Sequence, residues 1–278
     1  MRPERGLQKC FPHLFSAWRE FQKGKKDKKD VAEFASNLIH NLSVLENDIL
    51  SGKYRHGGYF YFKISDSKPR DIHKASVRDR IVHHALYRAL YPYFDKYFIY
   101  DSYSCRLNKG THRAIFRFEK FIRKVSRNNT KIVWALKCDI KKCFASVDQE
   151  ILKSILKKHI FCSRTMSVID LIIDSFSSGV KSKGIPLGNL TSQLFVNIYL
   201  NELDQFMKRK LGVKIYIRYA DDFVILSQDK DKFAKLVLII QDFLESKLKF
   251  SLHPKKVSIK TIASGVDLLG WIHFSSHR

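Results

Sequence analysis

The stretch Lys214 to Ser227, KIYIRYADDFVILS, limits what this chain can fold into more than any other. Apolar residues alternate on the way in (Ile215, Ile217, Tyr219) and run together on the way out (Phe223 to Leu226). The pattern predicts two strands joined at Ala220-Asp221-Asp222. Any fold containing that hairpin must hold two carboxylates side by side at the tip of rigid strands. Like charges so placed repel, so such a tip calls for a cation, and magnesium is the natural candidate. The plain alternative is an Asp-rich surface turn, and the rest of the chain has to decide between them.

Charge narrows the partners. The 278 residues carry 51 Lys and Arg against 27 Asp and Glu, a formal net charge of +24, so a polyanion is expected. No apolar run approaches the roughly 18 residues of a membrane span, and the opening MRPERGLQKC has no apolar signal core. Nucleic acid is therefore favoured over a membrane. Cys10, Cys105, Cys138, Cys143 and Cys162 are odd in number and lack paired CxxC spacing. That argues against a disulfide framework or a zinc site and fits the cytoplasm. The length suits one large domain or two small ones.

In chain order, the charged run Lys23 to Asp30 reads as a solvated loop, with phosphate contact the lesser alternative. Val31, Phe34, Leu38, Leu42, Leu45 and Ile49 predict one amphipathic helix. A strand follows at Tyr59 to Ile64, then a basic strand and turn from Lys63 to Ile72. Ser76 and Asp79 open a helix. His83 and His84 on it point to different faces and read as core-edge or surface residues, not a metal pair. The loop Ser102 to Arg113 gathers basic groups around Gly110, as a phosphate contact would, and a helix is expected from Thr111 to Val125. The run Ile132 to Asp139 reads as a buried strand ending in a lone aspartate. A carboxylate there is costly unless solvated or paired with a cation, and Asp221 and Asp222 could join it around one. Asp148 caps a helix from Gln149 to His159, and a second helix lies near Thr165 to Phe176. After the glycine-bearing loop Ser177 to Gly188, a long helix from Leu190 to Leu211 precedes the hairpin. One more helix spans Phe233 to Leu248, followed by Pro254-Lys255-Lys256 and an apolar piece, Val266 to Phe274.

Seven blocks in this order resemble a reverse transcriptase: the segment with Arg70; Ser102 to His112; the Asp139 strand with Phe144; GIPLGNLTSQ at Gly184 to Gln193; Tyr219-Ala-Asp-Asp222; Pro254 to Lys256; and Leu268-Leu-Gly-Trp271. The resemblance implies an α/β (α+β) right-hand polymerase whose palm is an antiparallel sheet backed by helices. Residues 1–55 would be an N-terminal helical extension. The fingers would be about 56–130 plus part of 145–185, and the palm about 131–144 and 186–278. Two magnesium ions about 4 Å apart would be held by Asp139 and Asp221, with Asp222 completing the triad and the Ile140 carbonyl a backbone ligand. Lys63, Lys68, Arg70, Phe144 and Lys256 would contact the dNTP, with Phe144 crowding the sugar 2′ position. Arg106, Lys109, Gly188, Asn189, Ser192, Gln193 and Tyr219 would meet the RNA template and the DNA or RNA primer.

Ser192-Gln193 stands where group II intron and retron enzymes usually carry Ser-Pro, and GNLTSQ is similar to the reverse transcriptases of diversity-generating retroelements. Those copy a template-repeat RNA with errors at adenines and work with a small basic accessory protein. The alternatives are an intron-type or other bacterial enzyme, in which Gln193 merely packs, and a non-catalytic RNA-binding remnant. The sequence stops a few residues after Trp271, so the helical thumb is expected to be missing. Against the remnant stands the intact carboxylate set.

Overall fold

Asn37 divides the first predicted helix in two. At φ −128°, ψ 44° it lies outside helical backbone space, so the single helix expected from Val31 to Ile49 is instead a pair. The computed structural model describes residues 13–65 and 69–275, which leaves Cys10 and Lys68 outside the described residues. In chain order it contains α1 (Leu14–Phe21), α2 (Lys29–Ser36), α3 (Leu38–Leu50), β1 (Tyr59–Ser65), β2 (Pro69–Ala75), α4 (Val77–Phe94), α5 (Thr111–Val125) and β3 (Trp134–Asp139). Then come α6 (Cys143–Ser146), α7 (Gln149–Lys157), α8 (Ser163–Asp174) and α9 (Leu190–Gln205). The chain closes with β4 (Tyr216–Tyr219), β5 (Asp222–Ser227), α10 (Asp231–Leu248), β6 (Ser258–Thr261), β7 (Val266–Leu268) and β8 (Trp271–His273). The helix expected to reach Leu211 leaves α-geometry after Gln205 and ends in one π turn, Phe206–Lys210.

The chain forms two compact units: residues 1–96 with 147–195, and residues 97–146 with 196–278.

In the first unit, α1 buries Leu14, Ala17, Trp18 and Phe21, an i, i+3, i+4, i+7 stripe. The start of α4 is tied down on three sides. Ser76 Oγ accepts from the Asp79 backbone N–H at 3.1 Å, while the Asp79 carboxylate accepts from Ser76 Oγ, Tyr54 Oη and the Gly57 N–H. β1 and β2 form an antiparallel hairpin from Tyr59 opposite Ala75 to Ser65 opposite Pro69. The GIPLGN loop closes against β2. The His73 N–H donates to the Leu187 carbonyl, the Asn189 side-chain oxygen accepts from the Ala75 N–H, and its amide donates to the His73 carbonyl. Gly188, at φ +113°, passes so near β2 that a Cβ would lie 2.7 Å from Ile72 Cγ2. Only glycine satisfies both the dihedral and the space.

His83 departs from the surface or core-edge position expected of it. It is 1% exposed, with Nε2 3.1 Å from His56 Nε2 and Nδ1 on Thr191 Oγ1. Burial pushes its pKa down to about 3, helped by His56, His84 and Arg80. The unfolded chain takes up a proton at His83 below about 6.5, while the folded chain stays neutral there until about 3. Stability is thus full above the unfolded value and falls as pH drops below it, by about 2 kcal/mol at pH 5 for this residue. Thermal melts of wild type and His83→Gln at pH 7 and pH 5 measure this. The variant should lose distinctly less stability on acidification than wild type.

The second unit is built on a four-stranded antiparallel sheet in the order β4-β5-β3-β6. Helix α5 lays Ala114, Phe118, Phe121 and Ile122 on one of its faces, against Ala135, Ile217, Val224 and Leu226. β7 and β8 form a short hairpin, with Val266 and Leu268 in the same core.

Candidate active site

Register brings the carboxylates together. β3 ends at Asp139 and β5 begins at Asp222, and these two residues are directly opposed across the antiparallel pair. Ala220, at φ +53°, turns the chain between β4 and β5, and beyond the strand end the Ile140 N–H donates to the Asp221 carbonyl at 3.1 Å. On the other edge of β3 the His253 N–H donates to the Asp139 carbonyl at 2.7 Å, and Ile140 bridges Leu252. Backbone on both sides holds Asp139 in place, and the tip of the hairpin delivers Asp221 and Asp222 beside it.

Two lysines answer these charges. Lys256 Nζ donates to Asp139 Oδ2 at 2.6 Å. Lys137 shares a strand face with Asp139 two residues on; its Nζ lies 3.3 Å from Asp222 Oδ2 and 3.0 Å from Asp267 Oδ2. The Asp222 carboxyl is raised to about 6 in all, burial being the largest cause. Asp139 and Asp221 add to that rise, and Lys137 works against it. Burial alone would lower the Lys137 pKa, but Asp222 and Asp267 leave it raised.

Among the described residues no three His, Cys, Asp or Glu side chains are gathered as a metal-holding group. The donor chemistry nevertheless fits a hard divalent cation. The donors are carboxylate oxygens, two of the carboxylates already draw ammonium groups, and Asp222 Oδ1 is buried without a hydrogen-bond partner. A buried orphan carboxylate oxygen is costly, and a cation would satisfy it.

Beneath the tip lies an ion pair with almost no exposure. Arg218 is 1% exposed and Asp204, from α9, is 0%. Arg218 Nε and Nη2 donate to the two Asp204 oxygens at 2.8 and 2.6 Å, and Tyr216 Oη donates to the first of them. Arg218 Nη1 donates to the Ala220 carbonyl at 3.0 Å. A buried fork of this kind fixes the turn that carries Asp221 and Asp222. Arg218, Asp204 and Lys137 are absent from the residues expected at the site. The signal for Arg218 was a charge inside an otherwise apolar strand, which needs a buried partner. Its partner lies 14 residues away in a helix, and no local pattern names it.

The other expected residues separate by unit. Phe144, in α6, is half-buried. Tyr219 Oη is 3.2 Å from Thr111 Oγ1, at the start of α5. Arg106 donates to the Ile99 and Ser102 carbonyls, and Lys109 to the Tyr100 carbonyl, so both hold the loop that precedes α5. These belong to the second unit with the three aspartates. Lys63 and Arg70 are exposed on the β1–β2 hairpin of the first unit. Gly188 and Gln193, also in the first unit, line a cavity of about 350 Å³ with Phe62, Ile72, Lys74 and Arg80. Asn189 and Ser192, expected to face template or primer, are 3% and 2% exposed, and the Asn189 amide is spent on β2. Among the described residues no helix is long and apolar enough to cross a membrane.

Comparison with known proteins adds a family to this geometry. The profile described as "Reverse transcriptase (RNA-dependent DNA polymerase)" matches residues 63–273. Protein YkfC of Escherichia coli is 27% identical over 84% of this chain and 71% of its own length. The putative COX1/OXI3 intron 2 protein of Saccharomyces cerevisiae is 22% identical over 90% of this chain and 37% of its own length. The group II intron-encoded protein LtrA of Lactococcus lactis is 25% identical over 52% of this chain and 24% of its own. Among solved structures, apo telomerase from Candida tropicalis superposes with a TM-score of 0.59 at 13% identity, over 94% of this chain and 51% of that one. A form truncated from its C-terminal domain gives 0.56 at 15% identity, over 84% and 58%. The chain thus spans little more than half the length of those telomerases. At such identities the likeness speaks to the fold, a mixed α/β right-hand polymerase with antiparallel sheets.

Proposed function

Since the chain belongs to the reverse transcriptase (RNA-dependent DNA polymerase) family, we propose that it extends a primer 3′ end with deoxynucleotides copied from an RNA template. The observation that carries this is the register setting Asp139 against Asp222, with Asp221 in the adjoining turn. We assign the fingers to about 56–130 with part of 145–185, the palm to about 131–144 and 186–278, and the work to the cytoplasm. Two magnesium ions would lower the pKa of the primer hydroxyl and neutralise the departing pyrophosphate. Asp139, Asp221, Asp222 and the Ile140 carbonyl would hold them.

The chain's own groups do the positioning. The carboxylates would orient the primer 3′ oxygen in line with the α-phosphorus; its proton passes to solvent water as the new P–O bond forms and the bond to pyrophosphate breaks. Lys256 rests on Asp139, and its long stem lets Nζ turn to the leaving pyrophosphate once Asp139 is engaged elsewhere. Arg70, Lys63 and Lys68 would hold the outer phosphates. Primer extension on an RNA template, with magnesium and with a chelator, tests the proposal. No incorporation by wild type under either condition would leave the RNA-binding remnant as the better description.

Phe144 is the proposed gate against ribonucleotides. A half-buried ring five residues beyond Asp139 excludes a 2′ hydroxyl by bulk and not by hydrogen bonding. Phe144→Ala should raise kcat/KM for rNTPs at least tenfold relative to matched dNTPs, with a smaller loss on dNTPs. An unchanged ratio in a folded variant would assign the ring to the core.

Within the family we place the chain among the enzymes of diversity-generating retroelements, on the strength of Ser192-Gln193 in GNLTSQ, with a small basic accessory protein as partner. A group II intron enzyme is the second reading, favoured by the likeness to LtrA and the yeast intron protein. Sequencing cDNA copied from a mixed-base RNA separates them: errors concentrated at template adenines belong to the first, and evenly low errors to the second.

A further inference from the structure

Helix α5 has a second face that the proposed reaction does not use. Opposite its buried residues run Arg113, Arg117, Lys120 and Lys124, spaced i, i+4, i+7 and i+11, and thus aligned along the helix. Glu119 is the one acid among its 15 residues, whereas a face that is merely solvated usually mixes its signs. Large apolar groups stand among these cations. Phe116 is 53% exposed, and Tyr100 and Leu107, from the preceding loop, are 68% and 67% exposed. With Lys109, Arg113 and Lys120 they line an open cavity of about 480 Å³. Lys109 Nζ lies 3.6 Å from the Tyr100 ring centroid and the Arg117 guanidinium 5.2 Å from it. Arg117 is also paired with Asp101 at 2.8 Å, so it builds the cavity wall.

The helix has a direction relative to the aspartates. It begins at Thr111, against Tyr219, two residues before Asp221, and it ends at Val125, whose carbonyl accepts from Gln228 Nε2 at the far end of β5. Its 15 residues thus run about 22 Å along the sheet, away from the aspartate end.

We propose that this face is a track for single-stranded nucleic acid, on which unpaired bases stack against Tyr100 and Phe116 while Arg113, Lys120 and Lys124 contact successive phosphates. Every base has a π-face, so rings interleaved with cations bind single strands with little regard to sequence. A duplex keeps its bases stacked inside and cannot use the rings. An acidic protein segment would be drawn by the cations but would gain little from the exposed parts of the Tyr100 and Phe116 rings. The track deepens the proposed polymerase reading by giving its substrate a second contact. It is measured without nucleotides, so it stands or falls apart from catalysis.

The test is fluorescence anisotropy with the full chain and an unstructured RNA of about twenty nucleotides, the DNA of the same sequence, and the matching duplex. Arg113→Glu/Lys120→Glu should weaken single-strand binding at least tenfold and lower the salt slope by roughly 1.4, two phosphate contacts' worth. Tyr100→Ala/Phe116→Ala should weaken it about tenfold with the slope unchanged and leave the duplex within about twofold. Tyr100→Phe should bind as wild type. Circular dichroism checks folding, and Arg113→Ala/Lys120→Ala replaces the charge reversal if that variant does not fold. Unchanged single-strand affinity in either double variant, or an equal loss on the duplex, would overturn the track. So would polyglutamate that binds the chain with the same dependence on Tyr100 and Phe116. The tighter of RNA and DNA names the strand that uses it.

Discussion

Asp222→Asn is expected to abolish primer extension, lowering kcat/KM for dNTP incorporation by about a thousandfold or more, while the protein stays folded. The amide keeps the shape of the carboxylate but loses the charge that a cation and the developing phosphate charge require. Stability runs the other way. Burial already penalises the ionised Asp222, Oδ1 has no partner, and Lys137 retains Asp267 as a second carboxylate. Replacing a buried charge by a neutral group removes part of that penalty, so the melting temperature should hold or rise. Loss of extension with unchanged melting identifies a functional residue. Undiminished incorporation would remove Asp222 from the site, and a fall in both would make it structural.

Arg218→Met is expected to be the most destabilising single change in the second unit. It leaves Asp204 with no exposure and without its paired guanidinium; among the described residues the hydrogen bond from Tyr216 Oη remains. Breaking a buried pair from one side costs roughly 3–5 kcal/mol, a fall of about 10 °C in Tm for a chain of this size. Removing both partners, Arg218→Met/Asp204→Leu, should recover most of that loss, because no charge is left buried alone. Extension should not recover with it. The Ala220 carbonyl has still lost its donor, and the turn that sets Asp221 and Asp222 is no longer held. A double variant that regains stability but remains poor in extension, with a raised magnesium requirement, marks Arg218 as a positioning residue. Recovery of both would confine the pair to stability.

Much of the second unit was legible because its signals are local. The predicted bounds of α5 coincide with the structure, and those of the hairpin agree within two residues at the strand ends, since periodicity and turn chemistry act within a few residues. The Asp148 cap is equally local: its Oδ1 accepts from the Ile151 N–H at 3.0 Å. Where neighbouring signals competed, local reading failed. Six apolar residues kept helical spacing from Val31 to Ile49, yet the backbone breaks at Asn37, where the spacing itself gives no warning. His83 and His84 looked alike in sequence, and only packing against His56 and Thr191 makes the first a neutral core residue.

By itself the sequence singled out three carboxylates as candidates: a lone aspartate ending an apolar strand and an aspartate pair between two others are costly wherever the chain puts them. It also determined the family, through motifs in fixed order. Tertiary structure alone decided that Asp139 lies opposite Asp222, that Lys256 and Lys137 neutralise them, and that Arg218 reaches Asp204 beneath the turn. The physical reason is range. Propensity and periodicity act over a few neighbours, whereas strand register and a buried ion pair join groups distant in the chain and exist only once the sheet and its helices have excluded water.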